Sequence, residues 1–75
     1  MTISEYIRIL VDNVFDDNLN YRFTIRGLSD EILKMTGEYF SYTQIYNSIA
    51  ALDYDNHHYT RDVSSKPYYY EKISL

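Results

Sequence analysis

The chain has no cysteine in 75 residues, so its fold must be held by packing alone. No disulfide, zinc–thiolate site or thiol nucleophile is available to it. A chain this short buries only roughly 60% of the surface that its unfolded form exposes. That leaves room for one domain built on one core. The spacing of the apolar side chains is therefore the strongest guide to the fold. No apolar run approaches the roughly 20 residues of a membrane span. The first residues are acidic early and lack the cationic run of a secretory signal. With the absence of cysteine, this leads to an expected cytoplasmic location.

Thr2-Ile3-Ser4-Glu5 has the form of a capping box. Behind it Ile3, Tyr6, Ile7, Leu10 and Val14 fall on one helical stripe, and the helix is predicted to end near Asp16. Ile9 and Phe15 lie off that stripe; Phe15 can wrap into the core. Tyr21, Phe23 and Ile25 then alternate with Arg22, Thr24 and Arg26, the period of a short strand. Gly27 breaks the alternation, and Ser29 is read as the cap of a second helix with Asp30 and Glu31 in its first turn. Ile32, Leu33 and Met35 form its apolar side, and Gly37 is placed to stop it. Ser41-Tyr42-Thr43-Gln44 is a second capping box and opens a third helix. Ile45, Ile49 and Leu52 point inward there; Thr43, Asn47, Ala50 and Ala51 point outward. Residues 53–56 read as a turn. Tyr59, Thr60 and Val63, then Tyr68–Tyr70 and Ile73, are strand formers on either side of the loop Ser64-Ser65-Lys66-Pro67, which predicts a β-hairpin. The fold class is α+β, in the order helix, strand, helix, helix, strand, strand.

The net charge is −4 and the isoelectric point about 4.8. Duplex binding is driven largely by lysine and arginine on phosphates, so this sum argues against a strongly cationic nucleic-acid surface. The distribution is uneven. Residues 1–20 and 37–56 each carry a net −3, while residues 21–36 and 57–75 each carry +1. Alanine and glycine are scarce, and isoleucine, asparagine and tyrosine plentiful, a bias expected of AT-rich genes such as those of phages and mobile elements.

The segment Ser29–Leu52 resembles a helix-turn-helix, and the hairpin after it resembles the wing of the winged helix-turn-helix superfamily. The stretch Ser41-Tyr42-Thr43-Gln44-Ile45-Tyr46-Asn47-Ser48-Ile49-Ala50-Ala51-Leu52 is similar to that superfamily's recognition helices, which often begin with Ser or Thr and end in a leucine before the wing. The resemblance rests on element order and apolar spacing and covers nearly the whole chain. It implies one winged-helix domain over residues 1–75, with the helix-turn-helix at about 29–52 and the wing at about 57–74. It implies that Thr43, Gln44, Tyr46 and Asn47 meet base edges in the major groove. It further implies that Arg61, Lys66 and Arg26 meet phosphate. The third helix departs from the pattern of DNA binders in having no lysine or arginine. Gln44 has a second reading, as the residue that completes its capping box, and Thr43 and Asn47 as an ordinary solvated face.

Ten tyrosines stand out. Tyr6, Tyr21 and Tyr42 read as core, whereas Tyr46, Tyr59 and Tyr68–Tyr70 cannot all be buried in so small a chain. Exposed tyrosine serves protein interfaces or stacks on bases; Tyr68 is the candidate in the wing. Ile9 reads either as a lone exposed apolar residue or as a homodimer contact. The acidic residues Asp12, Asp16, Asp17, Asp53 and Asp55 read as a solvated face or as a lure for a basic, nucleic-acid-binding surface on a host protein, as in some phage-encoded inhibitors, anti-CRISPR proteins among them. His57 and His58 with Asp53 and Asp55 match no standard metal spacing. No phosphate loop, dinucleotide fingerprint or nucleophile elbow is present. No catalysis, cofactor or metal is expected. The expected partner is double-stranded DNA, as for a small transcriptional regulator, with a host protein as the alternative, and no membrane.

Overall fold

The computed structural model describes residues 1–56 and 58–73, with the side chains of residues 55 and 56 outside that description. Over these described residues it is an α+β fold of three helices and a two-stranded antiparallel sheet: α1 (Ile3–Asp16), α2 (Ile25–Thr36), α3 (Tyr42–Asn56), β1 (Tyr59–Asp62) and β2 (Tyr69–Lys72). Among the described residues no helix is long and apolar enough to cross a membrane.

The first helix begins where expected. The Glu5 amide donates to Thr2 Oγ1 at 3.2 Å. Its buried face is Ile7, Leu10, Val11, Val14 and Phe15. Val11 and Phe15 widen the predicted stripe, while Ile3 at its start is exposed. The Asn18 side-chain amide donates to the Val14 carbonyl at 2.8 Å as the helix ends.

The strand expected over residues 21–26 contracts to one isolated bridge, Phe23 to Tyr70. Both backbone hydrogen bonds of that bridge are short, at 2.8 and 2.7 Å. The competing signal is helical. Ile25, Leu28, Ser29 and Ile32 are all buried and spaced for one helix face. Thr24, not Ser29, is the cap: its Oγ1 accepts from the Gly27 amide at 3.0 Å. Gly27 therefore lies inside the first turn, where a Cβ would stand 3.2 Å from that oxygen. Ser29 is buried, and its hydroxyl donates to the Phe40 carbonyl at 3.0 Å, tying α2 to the turn before α3. Leu33 and Met35, expected on the apolar side of α2, are exposed instead, and Leu28 takes their place. Gly37 ends α2 in the left-handed region, φ 76°.

The capping box of α3 forms in both directions: Ser41 Oγ accepts from the Gln44 amide, and Gln44 Oε1 accepts from the Ser41 amide at 2.9 Å. Ile45 and Ile49 are buried and Leu52 packs against the core. Residues 53–56, read as a turn, continue the helix; nothing in Asp53-Tyr54-Asp55-Asn56 supplies the glycine or proline that would stop it. The hairpin pairs Tyr59 with Lys72, Thr60 with Glu71, Arg61 with Tyr70 and Asp62 with Tyr69. The sheet region thus runs, in space, Phe23, β2, β1.

Beneath the hairpin, Phe15 meets the Phe23 and Tyr59 rings edge-on, with centroids 5.7 and 5.0 Å away. Lys72, whose side chain is 13% exposed, reaches Asp12 at 2.8 Å and Asp16 at 2.6 Å. The Tyr59 hydroxyl donates to the same Asp12 carboxylate. Burial pushes the Asp12 carboxyl up, but the hydrogen bonds from Lys72 and Tyr59 outweigh it and hold it below its ordinary value. For Lys72 burial works downward, and the two carboxylates outweigh it and raise it. Tyr59 is raised by burial first and then by Asp12.

The signs follow from linkage. The lowered Asp12 contributes stability that is present above its ordinary 3.8 and lost as pH falls through the depressed value. The raised Tyr59 and Lys72 contribute stability present below 10.0 and 10.5 and lost as pH rises beyond them. The thermal midpoint should therefore hold level between these limits and fall on both sides. Asp12→Asn should lower the plateau and flatten the acid fall.

Candidate functional site

One side of α3 and the hairpin form one face. Tyr42 and Tyr46, one helical turn apart, stack with ring centroids 6.4 Å apart and planes 7° apart. Each ring borders a different groove. On one side Tyr46, Ala50, Asp53 and Tyr54 of α3 face Arg61 and Tyr70 of the hairpin across a groove of about 550 Å³. On the other, Tyr42 shares a groove of about 600 Å³ with Arg26 from the first turn of α2 and with Lys66, Pro67 and Tyr68 from the hairpin loop. The stacked pair therefore joins the two grooves.

Cations are sorted by this arrangement. Arg22 pairs with Asp62 at 3.3 Å, Lys34 with Glu31 at 3.5 Å, and Lys72 with Asp12 and Asp16. The Ser64 hydroxyl and amide also donate to Asp62, at 2.7 and 3.0 Å. They hold its carboxyl below the ordinary range, with Arg22 adding to the effect. Arg8 donates to the Ser4 carbonyl in its own helix. Arg26, Arg61 and Lys66 form no ion pair among the described residues, and all three line the two grooves around Tyr42 and Tyr46.

Of the residues singled out from sequence, Tyr46, Arg61, Lys66, Arg26 and Tyr68 come together on this face. Gln44 and Asn47 do not: they line a separate groove against Ile3, Ser4 and Arg8 of α1. Gln44 also has its side-chain oxygen engaged in the cap. Thr43 is exposed and Ile9 is 46% exposed, and neither lines these grooves. Tyr21 and Tyr42, read as core, are exposed. Tyr21 leans on Phe23 at 4.8 Å between centroids, and Tyr42 turns outward to stack. Sequence reading missed Tyr42, Asp53, Tyr54 and Tyr70 as lining residues. The four-residue spacing of Tyr42 and Tyr46 was the one signal for the first of them.

Among the described residues no three of His, Cys, Asp and Glu gather as metal ligands. His57 and the Asp55 side chain lie outside the described residues. No family model, no curated protein and no solved structure matches the chain.

The cap assigns Gln44 a structural task. Gln44→Ala should lower unfolding stability by about 1 kcal/mol in denaturant melts. Asn47→Ala, exposed in the middle of the same helix, should change it by less than about 0.5 kcal/mol.

Proposed function

We propose that the chain is a non-enzymatic binding protein of winged-helix type that takes up double-stranded DNA across α3 and the hairpin, as a small transcriptional regulator does. The observation that carries this reading is the gathering of Arg26, Arg61 and Lys66, without carboxylate partners among the described residues, on one aromatic face. Arg22, Lys34 and Lys72 are each paired with a carboxylate instead. Element order supports the same reading: a helix pair, α2 and α3, precedes a hairpin whose second strand pairs with Phe23. Tyr42 and Tyr46 supply stiff contact area where a basic helix would supply charge.

Three phosphate contacts give a log–log salt slope of roughly −2.7, or a ~40-fold loss of affinity between about 50 and 200 mM salt. Replacing Arg26, Arg61 or Lys66 by alanine should each weaken binding and reduce the slope by about 1. Fluorescence anisotropy with a labelled duplex reads both. Affinity that stays flat with salt would overturn the reading.

A second reading rests on Tyr54, 82% exposed, and on Tyr39, which is also largely exposed. Aromatic area of this kind suits a protein partner. On that reading the chain forms a stable complex with a host protein and has no DNA affinity at physiological salt. Co-purification that returns only nucleic acid would count against it.

A further inference from the structure

Tyr70 is 3% exposed, and its hydroxyl reaches no hydrogen-bond partner among the described residues. A buried hydroxyl left in that state costs stability, and the phenyl ring alone would fill the same space. The residue opposite Tyr70 in the ladder is Arg61. Opposed residues of an antiparallel pair project from one face of the sheet, and both line the groove between α3 and the hairpin. Burial raises the Tyr70 phenol, and the tyrosines at 42, 46 and 68 add to that against the opposing pull of Arg61. The hydroxyl is therefore a proton donor throughout the neutral range. A guanidinium carries five N–H donors and no acceptor. Tyr70, with a buried hydroxyl that lacks an acceptor, and Arg61, with a cation that lacks a carboxylate, thus line the same groove. An anionic acceptor would satisfy both. A tetrahedral oxyanion has enough oxygens to take a two-pronged contact from Arg61 and a hydrogen bond from Tyr70 at once. One carboxylate, Asp53, also lines the groove and opposes such an anion.

We propose that this groove is an oxyanion site of the phosphate class, in which Tyr70 Oη and the Arg61 guanidinium hold the ligand and Asp53 weakens it. The source of the phosphate rests on the reading above: it is a backbone phosphate if the face binds duplex DNA, and free phosphate otherwise.

The test uses the whole chain with two probes, inorganic phosphate and a short labelled duplex. Phosphate is titrated at constant ionic strength while the Tyr70 ring and the Arg61 Nε–H are followed by NMR, with acetate as control. Saturable shifts with phosphate, weaker or absent with acetate, are expected. Tyr70→Phe should keep or raise the thermal midpoint, weaken phosphate about tenfold, and leave Arg61 in place. Asp53→Asn should tighten it. If the duplex also binds and Tyr70→Phe weakens it about tenfold, the ligand is a backbone phosphate. If phosphate shifts the signals but the duplex does not bind, the site stands, filled by free phosphate, and the DNA reading fails. If the duplex binds wild type and Tyr70→Phe equally and phosphate moves nothing, the site is overturned with the DNA reading intact. Silence of both probes overturns both. Acetate acting as strongly as phosphate overturns the phosphate class.

Discussion

Phe15 is the side chain on which three distant parts of the chain meet. It is carried by α1, and the rings of Phe23 and Tyr59 close on it edge-first. Phe23 in turn pairs with Tyr70 through its backbone, and Tyr59 is paired with Lys72. The hairpin is therefore fixed to α1 at one end by an aromatic cluster and by the Lys72–Asp12–Tyr59 cluster beside it. A two-stranded hairpin alone is marginal in water. Docked this way it holds Arg61 and Tyr70 in register against α3. The geometry of the candidate face is thus a consequence of packing on its far side.

The three helices and the hairpin were legible because their signals agree at several levels. Thr2, Gly37 and the Ser41–Gln44 box mark helix ends by hydrogen-bond chemistry that does not depend on tertiary context. The start of α2 was not legible in the same way. Residues 21–26 satisfy a period of two, and residues 25–32 satisfy a helical period; both patterns share Ile25. Burial of Leu28 and Ser29 on the same face decides the competition, and burial is a tertiary quantity. What survives of the strand is the single bridge at Phe23. The extension of α3 past Leu52 has a similar origin: acidic and asparagine residues read as a turn locally, yet no breaker interrupts the ladder.

The candidate face was partly legible. Arg26, Arg61, Lys66, Tyr46 and Tyr68 were identified one by one, from a resemblance and from residue type; that they adjoin is a product of the fold. Gln44 and Asn47 lie on the flank of α3 that faces α1, because helical position alone does not say which flank a neighbouring helix covers. The orphaned hydroxyl of Tyr70 left no trace in sequence, since it exists only once β2 is packed between Phe23 and Arg61. The net charge was the least informative number. Its negative sign is set by carboxylates spread over α1 and elsewhere, while three of the four lysines and arginines without ion pairs among the described residues, Arg26, Arg61 and Lys66, line the grooves beside Tyr42 and Tyr46. Local potential, not the sum, governs encounter with a polyanion.

The most direct measurement is an amide chemical-shift map of the protein titrated with duplex DNA at low salt. The predicted result is a set of saturable shifts confined to residues 42–54, the hairpin around Arg61–Tyr70, and Arg26, with α1 and the exposed side of α2 unmoved. Shifts centred on α1, or none at all, would contradict the claim that this face binds DNA.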